Sequence, residues 1–370
     1  MALAALVAVG VVVLAAPASA APPEGGTRVI VQLMPGSDAA AESRWAESTG
    51  GAVSHVYRTA VQGFAGEFSD RAIAALQQDP NVALIEPDGV VTAADTQTDA
   101  TWGLDRIDQH ALPLDGSYDF PVEAGSGVTA YIIDTGVAPN PDLDQRLAGY
   151  DVVTAGGDGT GDCNGHGTHV AGTVAGNTYG VAKEATVVPV RVLDCGGSGT
   201  LSGIIAGLDW VVATHTTAPA VANMSLGGPA SSTLDAAVQK VIADGVTVAI
   251  AAGNSNTNAC NTSPARVSAA LTVGATDDTD HRAYFSNYGS CLDMFAPGVA
   301  ILSDWPTGTH TLSGTSMAAP HVAGAAAVLL SEKPTLSPAA VADRLIDSAT
   351  SGKVKTAGNK SPNRLLYSED

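Results

Sequence analysis

Val128-Thr129-Ala130-Tyr131-Ile132-Ile133-Asp134-Thr135-Gly136 is the run on which the fold turns. It is apolar at mostly successive rather than alternate positions, and it stops at a carboxylate. That pattern predicts a strand buried on both faces, as in a parallel sheet covered by helices. Residues 186–193, 221–224, 246–251 and 271–274 repeat it. Pro189 and Arg191 interrupt the first of these, which suits a strand nearer an edge. Helical stretches lie between the runs, at 169–176, 202–214 and 234–243. Such alternation implies an α/β fold, a doubly wound, mostly parallel sheet with helices on both faces. Ligands then bind beyond the carboxyl ends of the strands, so the polar residues there are the candidates for chemistry.

Composition narrows the function. Of 370 residues, 17 are Lys or Arg and 37 are Asp or Glu, a net charge of −20. With no basic run, a nucleic-acid partner is excluded, since phosphate binding needs clustered cations. A hydrophobic share of 45% supports a full core and excludes global disorder. The acidity suits a soluble, monomeric protein or one that holds cations.

The chain reads in three parts. Residues 1–16 are apolar but shorter than the ~20 residues a membrane span needs. Ala18-Ser19-Ala20 follows as an A-x-A cleavage pattern. Residues 1–20 therefore read as a secretory signal peptide, although no Lys or Arg stands near Met1. Residues 21–94 carry strand patterns at 28–33, 53–57, 63–68 and 82–86. Helical patterns lie at 38–48 and, capped by Ser69, up to 78. The order β-α-β-β-α-β suits a small α+β, ferredoxin-like unit. Residues 92–101 read as an exposed, cleavable linker, and 95–370 as the main domain. Secretion makes the four cysteines candidates for two disulfides. Three pairings of Cys163, Cys195, Cys260 and Cys291 are open. A zinc cluster with His166 and His169 is disfavoured, because the histidines are three apart without a Glu base.

Three segments carry the chemistry. Asp134 ends the buried run. Asn164-Gly165-His166-Gly167-Thr168-His169-Val170-Ala171-Gly172 is a glycine-rich turn entering a small-residue helix. Ser313-Gly314-Thr315-Ser316-Met317-Ala318-Ala319-Pro320-His321 is a turn into a second buried helix. Alone, Asp134 could cap a turn, His166 could be a satisfied core histidine, and Ser316 could cap a helix. Together they supply a nucleophile, a base to take its proton, and a carboxylate to orient that base. Residues 156–162 resemble a phosphate loop only faintly, lack Gly-Lys-Ser/Thr, and read as a flexible turn. An esterase of the α/β-hydrolase class would want G-x-S-x-G and the order Ser…Asp…His, which is not the order here.

These motifs, from Trp102 to about Tyr367, resemble the subtilisin-like serine proteases. Within them the sequence is most similar to the proteinase K group and its two-disulfide, aqualysin-like secreted members. Trp102-Gly103-Leu104-Asp105-Arg106-Ile107-Asp108, Asn223-Met224-Ser225-Leu226-Gly227-Gly228 and Ser286-Asn287-Tyr288-Gly289 also match. The resemblance implies a secreted endopeptidase with Asp134, His166 and Ser316 as catalytic residues and Asn254 as the oxyanion donor. It implies Gly197-Ser198-Gly199 and Ser225-Leu226-Gly227 as segments that sandwich an extended peptide by strand addition. Ala251-Ala252-Gly253 would line the P1 pocket, where small uncharged residues favour apolar or aromatic side chains. It implies the pairing Cys163–Cys195 and Cys260–Cys291. It implies structural Ca2+ at Asp293 with the carbonyls of Ser268 and Ala270, and at Asp105, Asp108, Gln109, Asp115 and Ser117. Residues 21–94 would be an inhibitory, folding-assisting propeptide, self-cleaved near Ala94. The alternative is an inactive peptide-binding pseudo-protease of the same fold.

Overall fold

The computed structural model describes residues 26–89 and 94–368, in two units, one through Val91 and one from Thr92. The expected leader, residues 1–20, lies outside the described residues, as do residues 90–93 beside the expected cleavage point.

In the first unit the alternation of Thr27–Leu33 turns Val29, Val31 and Leu33 inward against Phe64, Phe68 and Leu76. Four antiparallel strands stand in the order Gly51–Tyr57, Gly63–Phe68, Thr27–Leu33, Val82–Pro87. Two helices accompany them. Asp38 caps Ala39–Ser48 by accepting from Ala40 and Ala41 N–H, and Ser69 caps Asp70–Leu76 by accepting from Ala72 N–H. The order is the expected β-α-β-β-α-β.

In the second unit the central strand is Thr129–Asp134. Ala130 and Ile132 enter one core, and Tyr131 and Ile133 enter the other. This is the period of two expected of a strand covered on both sides. Nine strands form the sheet. In order they are Thr350–Ser351, Arg364–Leu365, Met294–Pro297, Leu271–Thr276, Val246–Ala251, Ala220–Met224, Thr129–Asp134, Thr186–Arg191 and Tyr150–Asp151. All pairs are parallel except the first. His166–Ala175 and Thr315–Glu332 supply the core that takes Ala130 and Ile132. Leu201–Thr214 and Ser232–Ala243 supply the other. Thr186–Arg191 lies one strand in from the edge, in keeping with its Pro189 and Arg191.

The topology places the site. After Thr129–Asp134 the chain fills one side of that strand, then returns at Ala220–Met224 on its other side. Crossovers that leave in opposite directions open a crevice at the carboxyl ends, where Asp134 stands.

Two expectations change. The stretch 92–101 is not a plain linker, because Ala94–Thr98 pairs antiparallel with Ser117–Pro121. Its Gln97 is held by buried Lys183 (2.6 Å), which also donates to the carbonyls of Asn177 and Gly180. Nor is 156–162 a loose turn: Gly159 O accepts Val137 N–H, and Asp162 is buried in hydrogen bonds. The helices Trp102–Ile107 and Pro338–Ser348 had no expectation. The first is anchored by Arg106, fully buried and forked onto Asp280 at 2.7 and 3.1 Å.

Candidate active site

Asp134 ends its strand wholly buried, and its Oδ1 accepts from His166 Nδ1 at 2.8 Å. Because a carboxylate oxygen can only accept, Nδ1 carries the proton and Nε2 is the free acceptor. The His166 side chain is 25% exposed and Asp134 0%, so the imidazole alone reaches solvent. Burial pulls the His166 pKa down, but the charge and hydrogen bond of Asp134, with the charge of Asp162, outweigh it and leave it raised. The small residues around His166 have a steric cause. Gly165 takes φ +99°, and a Cβ there would lie 2.2 Å from the Trp305 ring. A Cβ on Gly167 would lie 2.0 Å from Gly136 O. Glycine lets the start of the helix press against the end of the strand.

Ser316 is the second residue of Thr315–Glu332, inside the first turn, where backbone N–H groups have no partner in the helix. Its hydroxyl donates to Ser225 O at 3.2 Å rather than to His166. Ser225 returns the contact, its hydroxyl donating to Ser316 O at 2.7 Å. His166, Ser316 and Asn254 all line one cavity of about 770 Å³. Asn254 Oδ1 accepts both the N–H and the hydroxyl of Thr315, at 2.8 and 2.9 Å. That fixes the amide orientation and leaves Nδ2 as a donor.

Gly197, Ser198, Gly199, Ser225, Leu226, Gly227, Ala251, Ala252 and Gly253 line the same cavity. Among the described residues no Lys, Arg, Asp or Glu lines it. Residues that sequence reasoning missed stand among them. Thr315 holds Asn254 and also accepts Gly253 N–H through its hydroxyl at 3.0 Å. Asn287, quoted only for its motif, holds the 252–257 turn: its Nδ2 donates to Ala252 O, and its Oδ1 accepts from Ser255 and Thr257 N–H. The signal for Thr315 was its place between Gly314 and Ser316. Asn287 had only its polarity.

The cysteines are bridged as Cys163–Cys195 and Cys260–Cys291. Cys163 adjoins the turn that enters the His166 helix, and Cys195 adjoins Gly197-Ser198-Gly199.

Of the residues marked for calcium, Asp105, Asp108 and Asp293 carry carboxyl groups whose ionisation is disfavoured. Burial, then the charges of Asp105, Asp119 and Asp115, push Asp108 up to about 7 against a hydrogen bond from Asp119 N–H. Burial raises Asp105 as well, although Gly116 and Asp115 N–H donate to it. Carboxylates that oppose one another's ionisation fit a cation. Gln109 is turned by Nε2 bonds to Ala111 and Pro113 O, and the Ser117 hydroxyl donates to Asp115. At the other site burial pushes Asp293 up to about 6, while its Oδ2 accepts Thr272 N–H at 2.8 Å. Ser268 and Ala270 stand just before the strand Leu271–Thr276, which carries Thr272. Among the described residues no three His, Cys, Asp or Glu side chains are gathered closely enough to hold a metal by themselves.

Known proteins resemble this chain over most of its length. Residues 125–365 match the model of the subtilase family, and residues 28–94 that of peptidase inhibitor I9. An extracellular serine proteinase of Thermus sp. is 57% identical over 86% of this chain and 78% of its own length. Alkaline serine exoprotease A of Vibrio alginolyticus is 51% identical over 85% of this chain and 60% of its own. A solved structure of a cold-adapted subtilisin-like serine proteinase superposes with a TM-score of 0.72 at 53% identity. It covers 74% of this chain and 100% of that one.

Proposed function

The chain belongs to the subtilase family of serine endopeptidases, and from that premise we propose that it cleaves peptide bonds through an acyl-enzyme on Ser316, with His166 as base and Asp134 as its orienting carboxylate. The observation that carries this reading is the 2.8 Å Asp134–His166 hydrogen bond, opening onto the cavity that Ser316 also lines.

The substrate lies extended between Gly197-Ser198-Gly199 and Ser225-Leu226-Gly227. Its P1 side chain enters beside Ala251-Ala252-Gly253, where a lining without charge favours apolar or aromatic groups. The Ser316 hydroxyl turns from Ser225 O to His166 Nε2, which takes its proton as Oγ attacks the carbonyl carbon. The negative oxygen formed is met by Asn254 Nδ2 and the Ser316 N–H. Asp134 holds the imidazolium, which then gives its proton to the leaving amine. Water repeats the sequence on the acyl ester, giving the second product a carboxyl group and Ser316 its proton.

The inhibitor match over 28–94 supports residues 21–94 as an inhibitory propeptide removed by the enzyme itself near Ala94, with 95–370 as the mature protease. The extracellular Thermus relative supports export through residues 1–20 to act on protein substrates, and the net charge of −20, which makes copies repel, supports a monomer. Ca2+ held by Asp293 with the Ser268 and Ala270 carbonyls, and by Asp105, Asp108, Gln109, Asp115 and Ser117, would neutralise buried carboxylates and stabilise the fold. It takes no part in the chemistry.

Labelling with a fluorophosphonate tests the reading. The processed protein is expected to label on Ser316, and Ser316→Ala is expected to stay unlabelled and to accumulate as a precursor of full prodomain length. An unlabelled processed wild type would leave a peptide-binding module. Normal maturation of pure Ser316→Ala would overturn self-processing.

A further inference from the structure

Asp162 is a heavily bonded carboxylate near the site that the mechanism above does not use. It is 8% exposed, in the turn between Gly161 and Cys163. Its Oδ1 accepts the Thr135 hydroxyl at 2.9 Å and the N–H groups of Asn164 and Gly165 at 3.1 and 2.8 Å. Its Oδ2 accepts the N–H and hydroxyl of Thr168 at 2.9 and 2.7 Å. Thr135 follows Asp134, and its oxygen accepts Gly167 N–H at 2.9 Å. Gly165 and Gly167 flank His166. One side chain therefore holds the end of the strand that carries Asp134 and the start of the helix that carries His166. An anion at a helix N-terminus is also favourably placed.

We propose that Asp162 is a positioning residue for the Asp134–His166 pair, fixing both ends of their hydrogen bond through Thr135 and the first helical turn and setting a second buried carboxylate at the start of the helix that carries His166. This rests on reading His166 as the base. The titratable groups acting on His166 are Asp134 from the central strand, Asp162 from the preceding turn, and His169 one turn along its own helix. Burial lowers His169 to about 4, so it stays neutral. Removing the Asp162 charge then lowers the His166 pKa.

Asp162→Asn keeps Oδ1 as an acceptor but removes the charge and turns an amide toward Thr168 N–H. Thr135→Val removes the hydroxyl link and leaves the charge. Both are read as the full chain after processing, with active sites counted by fluorophosphonate titration. Per titrated site, both are expected to lose about 10- to 100-fold in kcat, with KM within about twofold. Only Asp162→Asn is expected to shift the acid limb of the kcat/KM profile to lower pH. A purely structural role would lower the count of titratable sites and leave per-site kcat and the limb where they were. That result for Asp162→Asn overturns the proposal. Should Asp162→Asn fail to mature, Thr135→Val decides, and an unchanged per-site kcat there overturns it. His166→Ala separates the two readings: if it turns over like the parent, the base assignment falls. If it is inactive while Asp162→Asn matches the parent, only the positioning role falls.

Discussion

Asn254 and Thr315 are joined twice at one atom: the backbone N–H and the hydroxyl of Thr315 both end on Asn254 Oδ1, at 2.8 and 2.9 Å. The amide orientation is thereby fixed, which leaves Nδ2 as a donor on a residue that lines the cavity. Asn254→Leu is expected to lower kcat by on the order of 10²–10³, a magnitude the subtilisins themselves define, with KM nearly unchanged. Thr315→Val keeps the N–H contact and is expected to lose about tenfold or less. Steady-state kinetics on a peptide amide checks both, and equal losses would place the donor elsewhere.

Asp304 carries the clearest consequence for pH. It is 2% exposed, and no N–H or hydroxyl donates to its Oδ2, so only its own proton can link it to the Asp142 carboxylate. Burial, followed by the charge and hydrogen bond of Asp142, pushes its carboxyl up to about 8 from 3.8. The folded state then binds this proton more tightly than the unfolded state, so stability falls as pH rises from about 4 to about 8. Asp304→Asn removes that penalty and can donate to Asp142. Its Tm is expected to exceed the parent's by several degrees at pH 8–9 and to converge with it near pH 4. Differential scanning calorimetry across that range checks it. A constant offset at every pH would contradict it.

Asp108 offers a test of the cation reading through a change of sign. With its carboxyl pushed up from 3.8 to about 7, stability falls as pH rises between those values, and the full cost stands at pH 8 when nothing neutralises it. A bound Ca2+ would reverse the balance. At pH 8 in chelator, Asp108→Asn is expected to melt above the parent. In millimolar Ca2+ it is expected to melt below the parent and to respond less to the metal. The same order of Tm values in both media would remove calcium from this cluster.

The strands were legible where burial on both faces wrote them as unbroken apolar runs, as at Thr129–Asp134 and Val246–Ala251. The ends carrying Asp134 and Asn254 came with them. Helices were legible from apolar spacing once flanked by such strands, but Trp102–Ile107 was not, because six residues hold too little periodicity. Its stability lies in tertiary contact, the Arg106–Asp280 fork across 174 positions. Ala94–Thr98 was mistaken for a linker because Asp, Thr and Gln form an edge strand only when a partner such as Ser117–Pro121 supplies the ladder. Asp162 was passed over for the same reason. Five donors drawn from residues 135 to 168 define its place, and no local pattern encodes them.

The two disulfides provide a controlled comparison. Their sequence separations are 32 and 31 residues, so loss of either releases nearly the same loop entropy, about 3–4 kcal/mol. Their surroundings differ. Beside Cys163–Cys195, Asn164 Nδ2 donates to Cys195 O at 2.9 Å, tying the His166 turn to the segment that begins at Gly197. Cys260–Cys291 joins the short helix Ala259–Asn261 to the turn before Met294–Pro297. Replacing either pair by serines is expected to lower Tm by similar amounts, on the order of 10 °C. Only the Cys163→Ser/Cys195→Ser protein is expected to raise KM as well, because one edge of the peptide-binding cleft loses its tether to the catalytic turn. Thermal melts and peptide-amide kinetics on both double variants check this. Equal KM values would show that the Asn164 contact and the local backbone hold that edge without the bridge.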